Sequence, residues 1–160
     1  MLDWSDWMIP KGQLLVVIPT LGESEYLPET LASVARNAGD CRCVVVGPES
    51  ARVQLKRLLI DAEYLPEVRQ GLYPSINQAA MASASWEWMT YLNDDDLLLP
   101  GFLRSLEAIE DDRTDIIYGR VGYLSENGRE YVRMPIEPVP DRLKTLMASG
   151  ISPMTQQGTL

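Results

Sequence analysis

The chain has 160 residues, of which 46% are hydrophobic and 23% charged, with a formal net charge of −9. That is enough chain for one domain with a real core, in proportions ordinary for a globular protein. The acidic balance argues against a nucleic-acid binder, which needs a basic face, and the lack of any histidine removes the commonest general base, the Ser-His-Asp and Cys-His nucleophile systems and histidine metal sites.

Residues 1–12 read as an N-terminal extension. "MLDWSDWMIPKGQ" has acids and tryptophans where a signal peptide needs a basic start and an apolar stretch. Trp4 and Trp7 lie three apart, the spacing of a short helix packed on the domain; an interfacial membrane anchor is the weaker alternative. No apolar run approaches the ~20 residues of a membrane span.

From residue 13 the chain alternates strand and helix patterns. "QLLVVIPT", residues 13–20, is a continuous apolar run closed by Pro19, the pattern of a strand buried on both faces of a parallel sheet. "LGESEYLPETLASVARNAGD" places Leu27, Leu31, Val34 and Ala35 at helical spacing, with Pro28 suited to the first turn and Gly39 to the stop. "CRCVVVGPES" is a second buried strand. Its Cys41 and Cys43 flank one residue and are read as reduced residues of a cytosolic protein. "ARVQLKRLLIDA" is a second amphipathic helix, completing a βαβ unit with a right-handed crossover.

"YLPEVRQ" holds a short third strand, and "SINQAAMASAS" a helix of small residues suited to close packing. "WEWMTYLN" is a fourth strand with Trp86, Trp88, Thr90 and Leu92 on one side. "PGFLRSLEAIED" follows as a helix with Leu103, Leu106 and Ile109 inward. "TDIIYGRVGYLS" is a fifth strand, leading into a hairpin with "REYVRMP" through Glu126-Asn127-Gly128. "VPDRLKTLMASG" is a last helix with Asp141 near its start. The whole reads as one α/β domain with a mostly parallel sheet flanked by helices.

Three aspartates in a row, Asp94, Asp95 and Asp96, follow Asn93 directly after the fourth strand. In open α/β sheets ligands bind beyond the carboxyl ends of the strands. Carboxylates grouped there suit a hard cation such as Mg²⁺ or Mn²⁺, which prefers oxygen ligands and is commonly shared with substrate phosphates. The competing reading is a solvated loop whose acids cap the helix starting near Pro100.

Four stretches, in order, resemble family 2 glycosyltransferases of the GT-A (Rossmann-like) fold. "VVIPTLGESEYLPETLASV" is similar to the family's V-x-I-P-T-x-N-E and L-x-x-T-L-x-S-V, and "RQGLYPSINQAA" to D-R-G-I-Y-D-A-M-N-K-G. "YLNDDDLLLPG" is similar to L-N-x-D-D-x-x-x-P-G, the DxD-type metal motif, and "DIIYGRVGYL" to D-I-I-Y-G-D-V. The similarity runs from residue 13 to about residue 125 and less clearly to residue 160, and implies a GT-A domain over 13–160, shortened or partial because members are commonly longer.

The resemblance implies that Pro19, Thr20 and Glu23 border the nucleotide base and ribose, that Gly71 and Asn77 lie near the nucleotide, and that Asn93 and Asp95 are the ends of the DxD-type motif. Asp95 and Asp96 are the implied metal residues. Asp94, on the family's variable position, is read as loop solvation, though it is counted with Asn93 and Asp95 among the nucleotide-sugar candidates. Thr20 has a competing reading as strand stop and helix cap, Asn77 as part of a core polar network, and Arg69 as either a diphosphate contact or a surface ion pair.

Four positions depart from the pattern. Gly47 stands where the family's second strand carries an acid, with Glu49 at a different offset; Pro74 and Arg120 replace acids, and Gln156 replaces a histidine. The implied activity is inverting transfer of a sugar, of the hexosyltransferase type, from a nucleotide-diphospho-sugar to an acceptor hydroxyl. It would use Mg²⁺ or Mn²⁺ and a glycan or lipid-linked acceptor, in bacterial polysaccharide or surface glycan synthesis. The cytoplasm is the expected compartment, with peripheral association at the inner face of the membrane as an alternative. No residue is assigned as catalytic base; Glu137, before Pro138, reads as a connector. A sugar-phosphate nucleotidyltransferase is disfavoured, because "PTLGESEYL" has one glycine and no basic residue. A non-catalytic nucleotide-sugar-binding module and a plain interaction domain stay open.

Overall fold

The structure, a computed structural model, describes residues 13–58, 61–83, 85–103, 116–117, 119–125, 127, 130–133, 144–145 and 148. The chain divides into two compact units, residues 1–108 and 109–160.

The first unit is built on the apolar runs. Strand β1 (Leu14–Pro19) and strand β2 (Arg42–Gly47) are buried along almost their whole length. Strand β3 (Glu63–Pro66) and strand β4 (Trp88–Tyr91) complete a four-stranded sheet in the order β3-β2-β1-β4, every pair parallel. Both faces of a parallel sheet must be covered by the crossover segments. These are helix α1 (Leu27–Asn37), helix α2 (Glu49–Leu58) and helix α3 (Leu72–Ala82).

The strand order decides where the helices lie. β1 to β2 to β3 steps one way across the sheet; β3 to β4 steps back past β1. With right-handed crossovers this reversal puts α3 on the opposite face from α1 and α2. Accordingly Ile76 and Ala79 of α3 pack on Leu15, Val17, Val44 and Val46, one alternating set of the two central strands, with Tyr91 and Met89 beside them. In α1, Leu27, Leu31 and Val34 are buried as the spacing predicts, whereas Ala35 is exposed. The chain leaves α1 through Ala38 and Gly39.

Element boundaries differ from expectation at four places, each for a local reason. α2 starts at Glu49, two residues early, with that acid in its first turn. β3 ends at Pro66, which has no N–H to continue a ladder. α3 starts at Leu72 and carries Pro74 in its first turn, where a missing N–H costs nothing. The carboxylate of Glu67 receives the Gly71 N–H at 3.2 Å and the Ser75 hydroxyl at 3.0 Å, acting as an external cap. β4 starts only at Trp88, and Trp86 is left outside it, its indole N–H bonded to the Ala80 carbonyl at 3.1 Å.

In the second unit, strand β5 (Val121–Leu124) and strand β6 (Glu130–Arg133) form a two-stranded antiparallel sheet, from Val121 opposite Arg133 to Leu124 opposite Glu130. The expected fifth strand is thus shorter and pairs as a hairpin arm. Leu106, Ile109, Asp141, Glu137 and Gln156, and with them the bodies of the two last expected helices, lie outside the described residues. Among the described residues no helix is long and apolar enough to cross a membrane.

Candidate functional site

The reversal of strand order makes β1 and β4 neighbours at the point of the sheet where the chain switches from the α1 face to the α3 face. A crevice opens at such a point, outside the carboxyl ends of the two strands. The segments bordering it are residues 20–26 after β1 and 92–98 after β4. Leu92 donates its N–H to the Val17 carbonyl at 3.0 Å, carrying the pairing one residue past β4. The aspartate triplet therefore emerges beside the end of β1.

There it is tied to the β1–α1 loop. The Thr20 hydroxyl donates to the Asp94 carboxylate and accepts the Gly22 N–H at 2.9 Å. The Ser24 hydroxyl donates to the Asp94 carbonyl at 2.9 Å, and Gln54 of α2 donates to the Ser24 carbonyl at 3.0 Å. The far end is tied to α1. Leu98 donates its N–H to the Ser33 hydroxyl at 2.9 Å, and Asn37 donates to the Leu98 carbonyl at 2.7 Å.

Within the turn the three acids have different surroundings. Asp94 is held by Thr20. Asp96 is half-buried, accepts from the Asn93 amide at 2.9 Å, and donates its N–H to the Asn93 carbonyl at 3.1 Å. Burial lifts its carboxyl above the ordinary range; the Asn93 hydrogen bond opposes this, and the charges of Asp95 and Asp94 add to it. Asp95 is exposed. On the α3 side the Tyr91 hydroxyl is buried without a hydrogen-bond partner, and burial, with Tyr73 and Asp96 nearby, raises the pKa of that phenol.

A concavity of about 560 Å³ lies between the two loops. Glu23, Glu25, Asp94, Asp95 and Ser24 supply its polar lining, Leu21 and Tyr26 its apolar side. Its volume suits a small-molecule ligand. Leu21 is 77% exposed and Tyr26 52%, so an apolar surface stands ready beside carboxylates. Sequence reasoning missed Leu21, Ser24, Glu25 and Tyr26; their one signal was position, in the turn between the first strand and its helix.

Of the sequence candidates, Thr20, Glu23, Asn93, Asp94, Asp95 and Asp96 come together at this crevice, and Pro19 closes the strand beneath it. Gly71 and Asn77 are not part of the concavity. Gly71 precedes α3, and Asn77 is exposed on that helix, so it joins no core polar network. Thr20 does not cap α1, whose N-cap is Tyr26; its hydroxyl is turned to Gly22 and Asp94 instead. Asp94 and Asp96 accept from Thr20 and Asn93; the body of the helix expected from Pro100 lies outside the described residues. Arg69 is exposed on the loop after β3.

Gly47 is explained by contact. A Cβ there would lie 2.6 Å from the Thr20 carbonyl oxygen and 3.0 Å from Thr20 Cγ2. The end of β2 is closed by the backbone of β1, and no side chain fits.

The two thiols are structural. Both cysteines are free, and burial pushes the Cys41 thiol up to about 11 and the Cys43 thiol up to about 12.

Among the described residues no three acids or cysteines stand close enough to enclose a metal ion. A cage made of protein alone is therefore not what this turn offers. An exposed carboxylate beside a half-buried one does fit a cation that arrives with phosphate oxygens, the usual mode for Mg²⁺.

The sequence profile of glycosyl transferase family 2 matches residues 15–158. No curated protein sequence matches the chain. Among solved structures, the chain is similar to the crystal structure of S. aureus TarS, with a TM-score of 0.51 and 20% identity over 65% of this chain. The matched part of this chain spans 20% of the TarS chain. At this identity the likeness speaks for the fold, and with the all-parallel sheet it bears out the GT-A, Rossmann-like architecture expected from the sequence. A profile match over most of its length establishes that the chain belongs to glycosyl transferase family 2.

Proposed function

We propose that this glycosyltransferase chain binds a nucleotide-diphospho-sugar at the β1–β4 crevice and serves inverting transfer of the sugar, a hexose, to an acceptor hydroxyl of a glycan or lipid-linked acceptor. The observation that carries the reading is the convergence of the β1–α1 loop and the acidic turn, with Asp95 exposed on a concavity at the switch point of the sheet. Pro19, Thr20 and Glu23 would border the nucleotide, as would Gly71 and Asn77 from the α3 side, with Asn93 and Asp95 toward the diphosphate. We place the GT-A domain at residues 13–160, its work in bacterial polysaccharide or surface-glycan synthesis, and its compartment in the cytoplasm or at the inner membrane face.

Asp95, with Asp96 beside it, would hold Mg²⁺ or Mn²⁺. Such an ion, when bound, offsets the negative charge that develops on the departing diphosphate. The chain's own task is to fix the diphosphate so that the anomeric carbon is open to attack from the opposite side. The acceptor hydroxyl would pass its proton to a carboxylate, a general base suited to this step where histidine is absent.

Calorimetric titration with UDP, GDP and dTDP, with and without Mn²⁺, tests the binding half. Mn²⁺-dependent binding of one of them, lost in an Asp95→Ala, Asp96→Ala double variant, is the expected result; equal binding by that variant sinks the assignment. A non-catalytic binding module is the second reading. The closed end of β2 at Gly47 favours it, since that position cannot carry the acid found there in the family pattern. Sugar transfer or donor hydrolysis above background decides against it.

A further inference from the structure

The aspartate on the variable position of the motif has the most elaborate surroundings of the three. Its side chain and its main chain are both held by the same loop: Thr20 donates to its carboxylate, and Ser24 donates to its carbonyl at 2.9 Å. Thr20 is itself fixed. It is 7% exposed, donates its N–H to the Val46 carbonyl at 2.9 Å, and accepts the Gly22 N–H on the hydroxyl that reaches Asp94. Its carbonyl abuts Gly47. Thr20 therefore stands clamped between β2 and the acidic turn, 74 residues away in sequence. Ser24 is anchored in turn by Gln54. A carboxylate engaged in this way has little freedom to reorient toward a ligand.

We propose that Asp94 is a positioning residue: its latch to Thr20, with Ser24 on its carbonyl, sets the acidic turn so that Asp95 is presented to the concavity, and Asp94 itself ligates neither cation nor donor. The inference rests on the reading of the crevice as the donor site. Latch and ligand roles separate chemically. An asparagine at 94 keeps an oxygen that can accept from Thr20 but loses the charge a cation needs. A serine at 20 keeps the hydroxyl; a valine of similar shape does not.

Two measurements on the full chain test this with Thr20→Val, Thr20→Ser, Asp94→Ala and Asp94→Asn. The first is amide hydrogen exchange without ligand. Asp94→Ala should speed exchange at Gly22, whose N–H rests on the Thr20 hydroxyl, by about 10-fold, and Asp94→Asn by less than about 2-fold. The second is calorimetric binding of UDP, GDP or dTDP with Mn²⁺. Asp94→Ala and Thr20→Val should each weaken it about 10-fold, the size of one oriented hydrogen bond. The double variant should be no weaker than either single, and Asp94→Asn should bind within about 2-fold of the parent; Thr20→Ser, which keeps the hydroxyl, should leave ligand-free exchange at Gly22 within about 2-fold.

Asp94→Asn as weak as Asp94→Ala would make the charge itself the requirement and overturn the latch. So would an Asp94→Ala variant unchanged in both measurements. If the parent chain binds no nucleotide, the donor-site reading fails, and hydrogen exchange at Gly22 alone still decides whether the latch exists. Asp94→Asn and Thr20→Ser retain the oxygens engaged in the latch, so a collapse of Thr20→Val leaves those two arms to answer.

Discussion

Thr20 has two flanks, and they are opposites. On the β2 side the backbone of Gly47 lies so close that no Cβ fits. On the β4 side Thr20 meets a carboxylate in a turn of three acids. The same residue closes one strand end and orders the other. The difference shows that acids at neighbouring strand ends are not interchangeable: restoring one on the closed flank would displace the residue that organises the open one.

The largest expected effect comes from forcing the closed flank open. Gly47→Asp, which reinstates the family's acid, should cost about 3 kcal/mol in urea unfolding, because the new side chain overpacks a buried strand end. It should also fail to strengthen nucleotide binding. A stable, tighter-binding Gly47→Asp chain would break the contrast.

A smaller loss should follow at Gly22, which supplies the N–H resting on Thr20. Its φ of +78° is one that side chains rarely adopt, and a Cβ there would press on the Ser50 hydroxyl and lie 2.9 Å from the Ala51 nitrogen. Gly22→Ala should lower stability by about 2 kcal/mol. Equal stability to the parent would show that the loop tolerates another path between the flanks.

On the open flank, Asp96→Asn should act in the other direction. Burial raises the Asp96 pKa in the folded chain, so the folded state holds this proton more tightly than the unfolded one. The resulting stabilisation is complete below the ordinary carboxylate range and is lost as pH rises through the raised value. Asp96→Asn removes that loss while keeping an acceptor for Asn93. Its melting temperature should exceed the parent's at neutral pH, and the gap should close on acidification. A gap that widens in acid would reverse the assignment. The smallest effect belongs to Tyr91→Phe, which removes a buried hydroxyl lacking a partner; unfolding should shift by no more than about 1 kcal/mol, on the stabilising side.

Much of the first unit was legible because short apolar runs closed by a breaker allow few alternatives: Leu14–Ile18, rich in β-branched residues and ended by Pro19, reads as a strand covered on both faces. The acidic turn was legible for the same reason, standing at the end of such a strand. What joins Thr20 to Asp94 was not. The contact spans two distant segments, and Asp94 occupies the position where the family pattern shows no preference. Gly47 was visible as a departure but not as a necessity, since its reason is a carbonyl oxygen on another strand. The early start of α3 was hidden by Pro74, which reads as a breaker until Glu67 is seen capping the helix from outside.

The two thiols have a practical consequence. Burial raises Cys41 to about 11 and Cys43 to about 12, so both stay in the unreactive thiol form at neutral pH. Maleimide dyes should therefore spare both. A single cysteine introduced at Leu21, on the exposed rim of the concavity, would be labelled selectively, giving a fluorescent reporter of ligand entry without stripping the native sulfur atoms from the sheet.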